Sequence, residues 1–307
     1  MTLDPDIAAV IEQDAARGLP PLSTLTASQA REQYRETLEL RRGTDFVPEA
    51  VASVADVTFD GPAGPLRSRV YEPADRIAAT VVFLHGGGWV IGDLESHDAI
   101  CRTLANATRA RVAAIDYRLA PESPHPGPLA DCVAGLGWAA ERWAGETLAV
   151  AGDSAGGALA AGVAIAARDA GGPPLAAQLL VYPAIDPTLA QPSVTRNGEG
   201  YMLERQDMVW YYGHYLPEPG MREDPAVNLL VREDLAGLPP AVIAVAEFDP
   251  LHDEGVRYAE RLRAAGVPTT LVEGPGLIHG FYGMGPVAPA AARVTHEAHS
   301  AFAAHLV

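Results

Sequence analysis

The stretch Leu148-Ala149-Val150-Ala151-Gly152-Asp153-Ser154-Ala155-Gly156-Gly157 decides how the chain is read. Four apolar or small residues run into a Gly-x-Ser-x-Gly turn, and an alanine-rich segment at 158–170 follows. That order predicts a buried strand, a tight turn and a helix. A serine between two glycines on such a turn is the pattern of a nucleophile elbow. The turn forces Ser154 into a strained backbone geometry, which closes only if the residues two before and two after lack side chains. The strain lifts the hydroxyl clear of the sheet edge, and the helix start aims backbone N–H groups at it. An ordinary glycine-rich loop carrying a serine would match the three fixed positions, but not the strand before and the helix after.

Outward from this stretch, the period of the apolar residues predicts the rest of an α/β fold. Residues 54–59 and 66–71 alternate like two half-buried strands joined by a Gly/Pro turn. Residues 79–84 are continuously apolar, as a strand buried on both faces requires. Further strand-like runs fall at 112–115, 148–151, 177–182, 241–246 and 269–272. Helical stretches at 98–108, 129–142 and 252–265 lie between them. This alternation predicts an eight-stranded, mostly parallel sheet with an antiparallel start, flanked by helices.

Two segments stand outside the alternation. Residues 4–42 carry helical periodicity, with Ile7, Val10 and Ile11 on one apolar face and Tyr34, Leu38 and Leu40 on another. Pro20-Pro21 separates the two, and Ser28 is the expected cap of the second. Between 186 and 238 no strand is expected, and 207–216 is crowded with aromatics. The expected division is an N-terminal helical part of a cap at 1–48, a core at 49–186, a cap insertion at 187–237 and the rest of the core at 238–307. The aromatics would line an apolar pocket, although packing between cap and core accounts for most of them.

Composition bounds the function. At 307 residues the length fits one large α/β domain, with or without a smaller subdomain. A net charge of −17 would repel a nucleic-acid backbone, so a neutral small-molecule substrate is expected and no nucleic-acid partner. No apolar run is long enough for a membrane span. The acidic N-terminus shows no secretory signal pattern. Cys101 and Cys132 fall in apolar helical segments and read as buried free thiols, which fits a cytoplasmic location.

Ser154 needs a base, and the base needs a carboxylate to orient it. In folds built on this elbow the chain order is serine, acid, histidine. His279 lies in Gly274-Pro-Gly-Leu-Ile-His279-Gly280-Phe281, a glycine-rich loop after a strand, and is the expected base. His296, His299 and His305 read as surface positions on a C-terminal helix. His214 falls in the cap, and His252 opens a helix where it would cap or pair with Asp253. Asp249, a few residues beyond the strand and followed by Pro250, is the better acid; Glu247 is nearer the strand and suits a structural pairing. The developing oxyanion also needs donors. The glycines of His85-Gly86-Gly87-Gly88-Trp89 would supply N–H groups, with the N–H of Ala155 completing the set. A phosphate cradle is a weaker reading of these glycines, because no Lys-Ser/Thr follows and there is no Gly-x-Gly-x-x-Gly. His85 itself reads as a structural hydrogen-bonder.

Five motifs in order, His85-Gly-Gly-Gly-Trp89, Asp116-Tyr-Arg-Leu-Ala-Pro-Glu122, Gly152-Asp-Ser-Ala-Gly-Gly157, Asp249-Pro-Leu251 and His279-Gly-Phe281, resemble the hormone-sensitive-lipase-like esterases, bacterial family IV. The resemblance runs from about Val81 to the C-terminus. It implies an α/β-hydrolase core under a helical cap, triad roles for Ser154, Asp249 and His279, and an oxyanion hole from Gly87, Gly88 and Ala155. It also implies a scaffold role for 116–122, and it alone suggests a homodimer. Asp153 matches the Gly-Asp-Ser-Ala-Gly branch of the family.

The resulting expectation is a carboxylesterase for short- to medium-chain acyl esters, needing no metal or cofactor. An amidase, deacetylase or lactonase would use the same residues. A non-catalytic small-molecule receptor is the remaining alternative, and the retained His279 argues against it.

Overall fold

The structure is a computed structural model and describes residues 2–42 and 46–307. Met1 and residues 43–45, which belong to the expected N-terminal segment 1–48, lie outside the described residues.

Eight strands form one sheet: β1 (Ser53–Gly61), β2 (Gly64–Glu72), β3 (Ala79–Leu84), β4 (Arg111–Asp116), β5 (Thr147–Asp153), β6 (Gln178–Val181), β7 (Ala241–Phe248) and β8 (Thr269–Ile278). Their order is β1-β2-β4-β3-β5-β6-β7-β8. β1 and β2 form a hairpin in register from Ser53↔Glu72 to Gly61↔Gly64, and β2 meets β4 antiparallel. Every later pairing is parallel. The crossovers are α3 (Asp98–Thr108), α4 (Gly127–Arg142), α5 (Ala155–Asp169) and α8 (His252–Ala264), and α9 (Pro289–Ala303) follows β8.

Successive side chains on a strand point to opposite faces, so each central strand feeds two apolar layers. From β3, Val82 and Leu84 join Leu136, Leu159 and Leu262 of α4, α5 and α8. Val81 and Phe83 join Leu104 of α3 and Val294 and Phe302 of α9. All six β3 residues are buried. Each fully buried Val, Leu or Phe contributes about 1.5–3 kcal/mol relative to exposure, and this double layer fixes the sheet as the rigid part of the molecule. Cys101 and Cys132 are buried free thiols within it.

The remaining helices are α1 (Pro5–Ala16), α2 (Ala27–Arg42), α6 (Pro192–Arg196) and α7 (Arg205–Tyr215). Asp4 caps α1 by accepting from the N–H groups of Asp6 and Ile7, while its own N–H donates to the Gly276 carbonyl within β8. The cap of α2 differs from the expected Ser28, which falls inside the first turn. Thr26 and Gln29 instead satisfy each other reciprocally: Gln29 N donates to Thr26 Oγ1 and Thr26 N to Gln29 Oε1, a capping box. Leu40, expected on an apolar face, is exposed. Among the described residues no helix is long and apolar enough to cross a membrane.

β8 departs from expectation most. It runs on through 274–278, part of the stretch that read as a glycine-rich loop, because a register shift opposite Ala246 and Phe248 lets it keep pairing as far as Ile278. His279 therefore leaves directly from a strand end.

Candidate active site

Ser154 sits between β5 and α5 with φ 55° and ψ −121°, a conformation that costs a non-glycine residue of order 1–3 kcal/mol. Neighbouring backbone holds it there. Ser154 N donates to the Val181 carbonyl at 2.8 Å, and its own carbonyl accepts from Ala158 N and Ala184 N. The flanking glycines are demanded by close approach. A Cβ on Gly152 would collide with the Gly156 carbonyl, and one on Gly156 with the carbonyls of Leu84 and His85.

The structure brings Ser154, His279 and Asp249 together from three strand ends. His279 Nε2 lies 3.0 Å from Ser154 Oγ, and His279 Nδ1 lies 2.8 Å from Asp249 Oδ2. Asp249 is wholly buried, and its Oδ1 accepts from Leu251 N at 2.8 Å. With Nδ1–H given to the carboxylate, Nε2 presents its lone pair to the serine hydroxyl. The ring of Tyr182, at the end of β6, packs 4.4 Å from the imidazole and limits its tilt.

Gly87 and Gly88 form the turn beside the serine with φ 116° and 58°. Neither can carry a Cβ: at Gly87 it would meet the Ile91 carbonyl, and at Gly88 the ring of Tyr211. The N–H groups of Gly87, Gly88 and Ala155 are not spent on any backbone or side-chain acceptor among the described residues. Tyr211 comes from α7, so the insertion lies directly on this turn.

Above these groups opens a cavity of about 1400 Å³. Ser154, His279, Gly87 and Gly88 line its floor, and Leu22, Tyr34, Met208 and Tyr211 line it from the N-terminal helices and the insertion. The two overlying pieces are joined where Asp207 of α7 accepts from Ser23 N at 3.2 Å. Burial raises the Asp207 carboxyl above its ordinary range. Arg31 of α2 ties the N-terminal piece to the core through the Val90 and Ala120 carbonyls and the Glu122 carboxylate.

The other candidate residues fall as follows. His85 donates from Nδ1 to the Gly86 carbonyl, stacks on Tyr117, and is pushed down to about 4 by burial and by the adjacent His97. Within 116–122, Asp116 pairs with Arg67, Tyr117 donates to the His85 carbonyl and Arg118 pairs with Asp131, all away from Ser154. Glu247 accepts from Gly276 N, and His252 pairs with Asp253. His214 stacks edge-on against Trp210.

The expectation for the last three histidines is corrected in part. His296 is exposed on α9, but His299 is buried, 2.7 Å from Tyr282 Oη, and burial lowers its pKa to about 3. His305 lies beyond the end of α9. Spacing on a helix shows which residues share a face, but not which neighbour covers that face.

Three contributors went unread in the sequence. Asn197, after α6, donates to the carbonyls of both Glu247 and Asp249 at 3.0 Å, bracing the Asp249 loop from residues outside the sheet. Glu254 of α8 is wholly buried, and its Oε1 accepts from Ile185 N and Asp186 N where the chain leaves β6. Burial pushes its carboxyl well above the ordinary range. Tyr211 was signalled only as part of the aromatic crowd.

A sheet of this order, with a strained serine between β5 and α5 and a histidine after β8, defines an α/β-hydrolase. A family model described as the α/β-hydrolase fold matches residues 81–283. The chain belongs to that family, in its hormone-sensitive-lipase-like branch. It is 44% identical to the esterase LipI of Mycobacterium tuberculosis over 80% of this chain and 79% of that protein. It is 37% identical to an ethyl acetate hydrolase of Pseudomonas putida over 94% of each. Among solved structures it resembles LAE6, an α/β-hydrolase enzyme from the metagenome of Lake Arreo, with TM-score 0.91, 41% identity and coverage of 99% and 98%.

Proposed function

We propose that this protein is a serine carboxylesterase acting on short- to medium-chain acyl esters of neutral alcohols. The observation that carries the reading is the continuous hydrogen-bond chain from Ser154 through His279 to buried Asp249 at the floor of a large cavity. In this reading His279 takes the serine proton as the hydroxyl attacks the ester carbonyl, and Asp249 stabilises the imidazolium that forms. The N–H groups of Gly87, Gly88 and Ala155 receive the negative charge of the tetrahedral intermediate. Its collapse expels the alcohol, which takes the proton from His279, and leaves an acyl-enzyme. Water, deprotonated by the same imidazole, then releases the acid.

The N-terminal residues to 48 and the insertion 187–237 act as a cap that sets which acyl and alcohol groups fit. Support comes from their shared lining of the cavity and from the contact of Tyr211 with Gly88. Identity to named esterases supports ester over amide chemistry.

The test is hydrolysis of p-nitrophenyl esters from acetate to palmitate by wild type and Ser154→Ala. The expected result is a maximum at short chains and a loss on the order of 10⁴–10⁶ in kcat in the variant. A folded wild type inert to every ester, but active on an amide or lactone panel, would replace this reading.

A further inference from the structure

The glycine-rich turn is gripped from behind as well as covered from above. The Gly86 N–H is directed at two acceptors, Asp153 Oδ1 at 3.0 Å and His97 Nε2 at 3.2 Å, while the Gly86 carbonyl accepts from His85 Nδ1 at 2.8 Å. His97 and Asp153 are both buried, and neither belongs to the chain from Ser154 to Asp249.

The hydrogen-bond pattern around His97 assigns the tautomer that suits the Gly86 N–H. Its Nδ1 lies 2.8 Å from Ser96 Oγ, and that hydroxyl already donates to the Asp93 carbonyl at 2.8 Å. A serine hydroxyl has one proton to give, so Ser96 accepts from His97 and Nδ1 carries the proton. In the neutral ring Nε2 then holds a lone pair, with the Gly86 N–H in reach. Protonation at Nε2 would remove that acceptor and direct a second N–H toward Asp153 Oδ1, 3.3 Å away. The rings facing His97 are Phe83 and His85, and burial lowers the pKa of His85 to about 4. Asp153 is the carboxylate against it.

From this geometry we infer that His97 is a positioning residue: with Asp153 it fixes the Gly86 peptide, and through it the aim of the Gly87 and Gly88 N–H groups. The inference rests on the esterase reading and adds a residue outside both its triad and its oxyanion donors. Residues 86–88 carry no side chains to restrain their backbone. Two acceptors sharing one N–H define the direction of that bond, whereas one carboxylate leaves it free to swing. The donors must stand about 2.7–3.1 Å from the developing oxyanion, so a small rotation of this peptide is felt in the transition state and little in substrate binding.

The experiment compares wild type, His97→Leu and His97→Gln on p-nitrophenyl butyrate. It is paired with inhibition by a trifluoromethyl ketone, which adds to a reactive serine as an anionic hemiketal. His97→Leu is expected to lower kcat about 10- to 100-fold with KM within about twofold, and to weaken the ketone by the same factor. His97→Gln, whose amide oxygen can accept from Gly86, is expected to recover kcat to within about threefold of wild type. A folded His97→Leu with wild-type kcat, or a Gln variant no better than Leu, overturns the inference. If the Leu variant does not fold, Ser96→Ala decides, because it frees Nδ1: a kcat lowered about threefold at constant KM supports the inference and an unchanged kcat overturns it. A wild type that turns over no ester overturns the reading beneath, and the inference with it.

Discussion

The elbow and the covering helices meet at one cavity, yet they are held by opposite means. Around Ser154 the constraints are contacts between backbones: β5, α5 and the strand end at Leu84 approach so closely that a single methyl group at Gly156 has nowhere to go. The covering pieces rest on side chains that reach across gaps, such as Arg31 to Glu122 and Asp207 to Ser23. Close backbone packing tolerates no substitution, while long polar side chains tolerate many. The floor around Ser154 is thereby fixed, and the cover proposed to select substrates is left adjustable.

The sharpest way to break this contrast is Gly156→Ala. It is expected to cost about 3 kcal/mol or more of stability, because only backbone can move aside. Esterase activity should fall at least about 10³-fold even in the folded fraction, as the elbow shifts. Denaturant melts and active-site titration would measure both. A variant with normal turnover would show that the floor is less rigid than the contacts require.

A smaller effect separates the two regions by pH. The His299 imidazole, buried near Tyr282, has its pKa lowered to about 3, against about 6.5 for a free histidine. The unfolded chain takes up a proton below pH 6.5 that the native state refuses, so the stability gained above 6.5 is lost progressively as pH falls toward 3. His299→Gln removes that titration. Between pH 7 and pH 5 the variant should lose about 2 kcal/mol less stability than wild type in urea melts. Equal losses would mean that His299 opens to solvent in the native state.

The smallest effect belongs to the cover. Arg31→Met keeps the stem and removes the contacts to Val90, Ala120 and Glu122. Since Glu122 is largely exposed, the cost should be only about 1 kcal/mol. On the proposed role of the cover in substrate binding, KM should rise about threefold with kcat nearly unchanged. A fall in kcat with constant KM would make this arginine part of the catalytic floor.

The sheet and the elbow were legible because each rests on a local rule: alternation or continuous apolarity for strands, and glycine where backbones touch. Ser154, His279 and Asp249 followed from chain order and strand ends, and the structure brings those three side chains within hydrogen-bond distance. What stayed hidden depends on which surfaces meet. Nothing in the sequence marks Asn197 as reaching the Glu247 and Asp249 carbonyls, Tyr211 as lying on Gly88, or His299 as turned inward. The extension of β8 was missed for a related reason: its glycine and proline residues signal a turn, and a register shift against β7 absorbs them.

The brace from Asn197 sets a limit on redesign. Because this residue sits near the start of the insertion and supports the loop that carries Asp249, a chimera that imports a foreign cover from residue 187 onward would remove a strut of its own acid. Grafts that begin downstream of 197 keep that strut in the recipient. Exchange of this segment has its first permissible joint there.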